Sequence, residues 1–264
     1  MKNLAHIILI VFLTILTQIG GSVYLISLLF FRKSEHGRRL KRAGVFVGLY
    51  LFTTLLLVPN IAPIFGREKV SNSELVKPHS MLYVLANRNY VRPELNVALG
   101  SIASSLNKRS KGIHVVYLDA NFPFIDGFPL LPHLSHNDGK KLDLTFIYQD
   151  DNGSPTNLKR SRSGYGVYEE PRGDEFDQTN ACNEAGYWQY GFPEYLSLGE
   201  VNKGIELDKD LTTFLAQAIV HEASVGKLFI EPHLKNRLGV ENSKVRFHGC
   251  QAVRHDDHIH FQLK

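Results

Sequence analysis

Two long apolar runs lie near the start of the chain, and neither contains Asp, Glu, Lys or Arg. They cover residues 4–31 and 43–65. A helix that crosses the hydrocarbon of a bilayer needs about 20 apolar residues, so both runs are long enough. The pattern predicts two membrane-spanning helices.

A basic segment separates the two runs. Six Lys and Arg side chains between residues 32 and 42 face a single acidic residue, Glu35. Short loops rich in Lys and Arg stay in the cytoplasm, so the first span should run inward and the second outward. Everything after Arg67 would then lie outside the cytoplasmic membrane. A cleaved signal peptide followed by one anchor is the alternative, and it leaves the larger part of the chain on the same side.

The rest of the chain mixes helical and strand patterns. Leu95, Leu99, Ile102 and Leu106 recur at helical spacing after Pro93, which predicts an amphipathic helix. A second helix should begin after Asp208 or Asp210, either of which could cap it, and run to residue 223. Four segments have the β-branched or alternating pattern of strands: 112–120, 142–150, 244–252 and 258–263.

Helices and strands segregate along the chain, which predicts an α+β fold. The expected organisation is a two-span anchor over residues 1–66, a tether over 67–92 and a domain over 93–264. Residues 151–200 form a loop-like insertion in that domain, with Gly, Pro, Asn and Asp among aromatic residues. These aromatic side chains either line a substrate groove or pack the insertion onto the domain.

Charge argues against a nucleic-acid partner. The chain has a net charge of +4, but residues 67–264 hold 23 basic and 25 acidic side chains, a net charge of −2. The basic character therefore belongs to the N-terminal part, and the larger part has no electrostatic reason to bind DNA or RNA. The two cysteines, Cys182 and Cys250, are too few for a structural zinc finger. Whether they form a disulfide is left open by their spacing.

Two histidine clusters carry the candidate chemistry. The first, in residues 132–144, fits the pattern S-H-x-x-G-x-x-x-D with Ser135, His136, Gly139 and Asp143. Imidazole and carboxylate are natural zinc ligands, and Gly139 lets the chain turn between them. The second cluster, residues 254–261, contains the H-x-H pair of His258 and His260. On a strand, residues two apart point to the same face.

Together, SHNDGKKLD and the distant HDDHIH resemble the LAS group of zinc metallopeptidases, and most closely its penicillin-insensitive murein endopeptidase branch. The resemblance covers approximately residues 93–150 and 208–264. It implies a small central antiparallel sheet with flanking helices. It also implies a Zn²⁺ ion with three protein ligands, which are His136, Asp143 and His260.

The same resemblance implies the catalytic residues. His258 matches the residue that handles the catalytic water or the transition state, and His255 matches the second histidine of that motif. Carboxypeptidase members have a Glu where this chain has His255, so the general base is either His258 or His255. Asp256 or Asp257 would orient one of the imidazoles. Four other histidines are expected at the surface or in packing, which are His133, His221, His233 and His248.

The expected function is hydrolysis of amide bonds in peptidoglycan stem peptides or cross-links by a membrane-anchored zinc peptidase on the periplasmic side. One alternative is a non-catalytic, metal-containing module that binds the cell wall or a partner. Another is a metallopeptidase that acts on peptides outside murein, because one fold serves several amide substrates.

Overall fold

The computed structural model describes residues 2–31 and 36–264. Contacts divide the chain into two compact units, each built from several segments. The first unit contains residues 1–70, 81–93 and 120–139, and the second contains 71–80, 94–119 and 140–264. The division into anchor, tether and peptidase domain stays a prediction.

The first apolar run does not form one long helix. It forms two short helices, α1 (Lys2–Thr17) and α2 (Gly20–Ser27). Gln18 between them has a φ of +67°, which turns the chain back. Gly21 then packs so closely that a Cβ atom there would lie 2.0 Å from the Thr14 hydroxyl. The prediction of a single span over this run is wrong, because the hairpin divides it into helices too short to cross a bilayer.

The second apolar run forms one continuous helix, α3 (Arg38–Phe65). It has 28 residues, and among the described residues it alone is long and apolar enough to cross a membrane. The structure therefore contains one candidate span where the sequence predicted two. Four side chains of the predicted basic loop lie in the first turns of α3, which are Arg38, Arg39, Lys41 and Arg42. Residues 32–35 of that loop lie outside the described residues.

The first unit has its own apolar core. The helices contribute Ile19, Val23, Val58 and Ala62, which pack with Tyr90. Phe124, from the segment Ala120–Gly139, packs against this core, and its amide donates a hydrogen bond of 3.0 Å to Gln18 Oε1. A short helix, α4 (Met81–Leu85), and a two-stranded ladder of Glu68–Lys69 with Tyr90–Val91 complete the unit.

The second unit is built on a six-stranded sheet. Its strands are β1 (Val76–Pro78), β2 (Val115–Tyr117), β3 (Lys141–Thr145), β4 (Val225–Phe229), β5 (Val245–Arg246) and β6 (His258–Leu263). They lie in the order β5-β4-β6-β3-β2-β1. The four central strands pair antiparallel, as predicted, whereas both edge pairs are parallel. The fold is thus mixed α and β, with several sheets.

Two of the predicted helices form close to their expected bounds. Helix α5 (Pro93–Arg109) buries the predicted stripe of Leu95, Leu99, Ile102 and Leu106. After α6 (Gln178–Glu184), helix α7 (Lys209–His221) is capped by Asp208, whose carboxylate accepts a hydrogen bond from the Leu211 amide at 2.9 Å. Asp208, and not Asp210, is therefore the cap. Helix α8 (Pro232–Leu238) follows β4.

Three predicted strands are shorter than expected. The segment 142–150 is interrupted because the Ile147 amide donates to the Thr212 hydroxyl and leaves the main ladder. The chain resumes as Tyr148–Gln149, which pairs with Pro155–Thr156 and Glu206–Leu207 in a three-stranded sheet. Within the predicted strands 112–120 and 244–252, only the short strands β2 and β5 form.

The insertion 151–200 is fastened to the second unit by covalent and ionic contacts. A disulfide joins Cys182 to Cys250, which answers the question that the spacing left open. Glu175 accepts a hydrogen bond of 2.9 Å from Arg237 Nε, so an ion pair ties the insertion to α8. A 3-10 helix, Trp188–Leu196, carries the exposed Trp188 ring.

Candidate metal centre

The structure brings the three predicted zinc ligands together. One ligand atom from each of His136, Asp143 and His260 lies within 4.8 Å of the others, and all three side chains are buried. In the sheet, His260 on β6 is directly opposite Asp143 on β3. Side chains at opposed positions of an antiparallel pair share one face, so His260 Nδ1 lies 2.9 Å from Asp143 Oδ1.

His136 is oriented by its backbone surroundings. Its Nδ1 atom lies 2.6 Å from the carbonyl oxygen of Ala120. Because a carbonyl only accepts, Nδ1 carries the proton and Nε2 keeps its lone pair. Metal-binding histidines commonly donate their other ring N–H to a carbonyl or carboxylate in this way.

Gly139 makes the predicted turn between His136 and Asp143. Its φ is +80°, a conformation that side chains rarely adopt. A Cβ atom here would lie 3.0 Å from Arg92 Cγ and 3.2 Å from Arg67 Nε. Both the backbone angle and the available space therefore require glycine at this position.

The donor set fits a zinc ion. Two imidazole nitrogens and one carboxylate oxygen are typical zinc ligands, and three protein ligands leave a position for water. One ligand atom of each side chain lies within 4.8 Å of the others, so a single metal ion between them would be close to all three. These buried groups could hold a metal ion.

His258 lies beside these residues. Its Nε2 atom is 3.7 Å from Asp143 Oδ2, and its Nδ1 atom contacts a carboxylate oxygen of Asp257. The second oxygen of Asp257 accepts a hydrogen bond of 2.6 Å from the Gly166 amide. Of the two aspartates left open by the sequence, Asp257 therefore orients His258, whereas Asp256 pairs with Arg254.

His255 packs next to His258, with their ring centroids 4.9 Å apart. Its amide donates a hydrogen bond of 2.9 Å to Glu231 Oε1, which also accepts one of 2.6 Å from the Tyr190 hydroxyl. Burial, followed by the nearby His258 imidazole, lowers the pKa of His255 well below 6.5. The His255 imidazole is therefore neutral near pH 7.

A second group of potential ligands shares Asp143. Ligand atoms of His133, Asp143 and His258 also lie within 4.8 Å of one another. His133 is buried here, which agrees with the packing role that the sequence left open and not with a surface position. Its position three residues before His136 was the signal that could have identified it.

Three more histidines were predicted at the surface or in packing. His233 Nε2 contacts the carbonyl oxygen of Glu169 at 2.8 Å. The His248 ring packs edge-on against Phe229 and lies next to the proposed site, with its centroid 5.3 Å from that of His255. His221 is exposed at the end of α7.

Tyr165 is a site residue that the sequence did not single out from the other aromatic residues of the insertion. Its hydroxyl lies 2.8 Å from Asp143 Oδ2 and accepts a hydrogen bond of 3.1 Å from the Asp119 amide. Its ring also packs edge-on against His258. Tyr165 therefore touches a proposed ligand and a proposed catalytic residue together. No motif indicates this contact.

No protein-family model matches the chain, and no curated protein matches it in sequence. Membership of the LAS group stays a prediction from the motif residues. The assignment of the centre depends on these motifs and on the side-chain geometry.

Proposed function

We propose that the chain is a membrane-anchored, zinc-dependent peptidase that hydrolyses amide bonds in peptidoglycan stem peptides or cross-links. One observation carries the proposal. His136 and His260 come from segments more than a hundred residues apart, yet their ligand atoms and one of Asp143 lie within 4.8 Å of one another. The resemblance to murein endopeptidases supports the choice of substrate class.

A bound zinc ion would act as a Lewis acid and would lower the pKa of a water molecule, which would give amide hydrolysis its nucleophile at neutral pH. His136, Asp143 and His260 are the residues that would hold it. The Tyr165 hydroxyl donates a hydrogen bond to Asp143 Oδ2 and so orients the carboxylate.

His258 is the first candidate for proton transfer. The Asp257 carboxylate accepts the Nδ1 proton of His258, so Nε2 is the nitrogen that exchanges a proton with the reacting groups. Nε2 points toward Asp143 at 3.7 Å, next to the proposed ligands. Nε2 is therefore the atom of His258 from which a proton would pass to the leaving amine.

His255 is the second candidate. Its imidazole is neutral near pH 7, so it is able to accept a proton. Its backbone is held by Glu231, which fixes the turn before β6. In this proposal His258 and His255 are the two catalytic histidines, and kinetics of the single variants decide which one is the general base.

The proposed location outside the cytoplasmic membrane is supported by α3. Its N-terminal turns carry four basic residues and its C-terminal half carries none, and by the positive-inside rule this favours an orientation with the residues after Phe65 outside. The Cys182–Cys250 disulfide supports this location, because disulfides persist in oxidising compartments such as the periplasm.

The metal assignment is tested with two matched variants. His136→Ala and His133→Ala each remove one buried imidazole from the same segment, but each belongs to a different candidate group. We expect the full chain purified in detergent to bind one equivalent of zinc, His136→Ala to bind it far more weakly and His133→Ala to keep the wild-type affinity. The reverse result would assign the metal to His133, Asp143 and His258.

The reaction is tested with purified murein sacculi and the full chain. We expect the zinc-loaded protein to release peptide fragments detected by chromatography, EDTA to stop the release and added zinc to restore it. His258→Ala should keep its zinc and lose the release. A folded, zinc-loaded wild-type protein that releases nothing would refute the peptidase and favour a non-catalytic binding module.

A further inference from the structure

Arg67 lies two residues beyond the end of the candidate membrane helix α3, and its side chain is completely buried. A guanidinium group stays charged in proteins, so burying it is costly unless several acceptors surround it. The partners of this side chain therefore show what its burial stabilises.

Among the described residues, the Arg67 side chain has three acceptors, and all lie on the segment Ala120–Gly139. We call this segment the ligand loop because it carries His136. Nη1 donates to the carbonyl oxygen of Phe122, and Nη2 donates to the Asp126 carboxylate and, at 3.2 Å, to the carbonyl oxygen of Asn137. One planar group thus holds the beginning and the end of the loop together.

The held end of the loop is next to the proposed ligand. Asn137 directly follows His136, and the Gly127 amide donates a hydrogen bond of 2.8 Å to the same carbonyl oxygen of Asn137. The Ala120 carbonyl that orients His136 Nδ1 lies two residues before Phe122. Both the backbone and the ring of His136 are therefore anchored close to atoms that Arg67 binds.

Arg92 offers a natural comparison. Its Nε donates to the Asp138 carbonyl oxygen at 2.9 Å, and Nη2 donates to the second carboxylate oxygen of Asp126 at 3.1 Å. This side chain is 31% exposed, and its side-chain hydrogen bonds among the described residues do not reach the start of the loop. Arg92 thus joins the middle of the loop to its end, whereas Arg67 also holds its beginning.

We propose that Arg67 is a positioning residue that closes the ligand loop from the end of the membrane helix and so holds His136 in place for the metal. The inference deepens the proposed function and depends on it. It also implies that the anchor is part of the support of the metal centre.

The test uses the full chain in detergent and the variants Arg67→Met and Arg92→Met. Hydrogen exchange is measured on the metal-free proteins, and zinc affinity is measured by competition with a chromophoric chelator. We expect Arg67→Met to raise exchange selectively within residues 120–139 and to weaken zinc binding at least tenfold. Arg92→Met, which leaves the loop closed, should change the affinity less than threefold.

A double-variant cycle separates positioning from a general structural role. If Arg67 acts through His136, Arg67→Met should weaken the residual zinc binding of His136→Ala no further. Should Arg67→Met fail to fold, Arg67→Lys serves instead, because it keeps a charge near Asp126 but lacks the fork that binds both carbonyls.

Unchanged exchange in the ligand loop, or increased exchange spread evenly over both units, would overturn the role of Arg67. Equal zinc affinity of the wild type and Arg67→Met would overturn it as well. If the wild type binds no zinc, the proposed function fails, and the exchange measurement on the metal-free proteins still decides whether Arg67 closes the loop.

Discussion

Gly139→Ala is the substitution whose cost can be worked out most directly from the structure. Gly139 has a φ of +80°, and a new Cβ atom would lie 3.0 Å from Arg92 Cγ and 3.2 Å from Arg67 Nε. Gly127 is the matched control, because it has the same φ of +80° and no atom within 4 Å of an added Cβ. Both glycines lie in the ligand loop, so the two variants differ mainly in contact with the arginines.

The backbone term applies to both variants. An alanine held at positive φ costs about 1–2 kcal/mol. Alanine also lowers the entropy of the unfolded chain, which offsets part of that cost by about 0.4–1 kcal/mol. Gly139→Ala adds an overlap with two held side chains, and overpacking costs about 1–3 kcal/mol. We therefore expect Gly127→Ala to destabilise by about 1 kcal/mol and Gly139→Ala by about 2–4 kcal/mol.

Thermal unfolding of the full chain in detergent measures the difference. At about 3 °C per kcal/mol, Tm should fall by about 3 °C for Gly127→Ala and by about 6–12 °C for Gly139→Ala. Zinc affinity should fall more for Gly139→Ala, since the turn sits between two proposed ligands. Equal effects of the two variants on Tm would refute the contacts with Arg67 and Arg92 as the cause.

Three further predictions concern the second unit. Replacing both Cys182 and Cys250 by serine removes a disulfide that closes a loop of 68 residues, and should lower the free energy of unfolding by about 4 kcal/mol. A reductant should then lower the Tm of the wild type but not of this variant. Asp208→Ala removes the α7 cap and should cost about 1 kcal/mol in thermal unfolding, whereas a comparable loss for Asp210→Ala would contradict the assigned cap. The hydrogen bond from Arg237 lowers the pKa of Glu175 from 4.5 to about 2. The ion pair therefore stabilises the folded state fully above pH 4.5, and this stabilisation is lost as the pH falls through about 2. Glu175→Gln should accordingly lower Tm at pH 7, and a difference that persists undiminished at pH 2 would contradict the ion pair.

Patterns that act over a few residues were predicted well. The apolar stripe of α5, the alternation in β6 and the cap of α7 depend on neighbours within one or two turns. The uncharged run that became α3 is likewise a local property, because its length and composition suffice to satisfy the criterion for a membrane span.

Composition alone could not show that the first apolar run folds back. The hairpin of α1 and α2 depends on one residue at positive φ, Gln18, and on glycine contacts between the helices. A hydropathy pattern contains neither kind of information. The strand predicted at 142–150 failed for the same reason. It ends where the Ile147 amide donates a hydrogen bond to the Thr212 hydroxyl, a residue far along the chain.

The sequence by itself determined which side chains have metal-binding chemistry: His136, Asp143 and His260 were chosen by residue type, spacing and family likeness. Only the tertiary structure decided that their ligand atoms meet, that Asp257 faces His258, and that Arg67 closes the ligand loop. Residue type and local periodicity can be read from the sequence alone. Contacts between segments separated by tens of residues depend on strand order and register, which are set only when the whole chain packs.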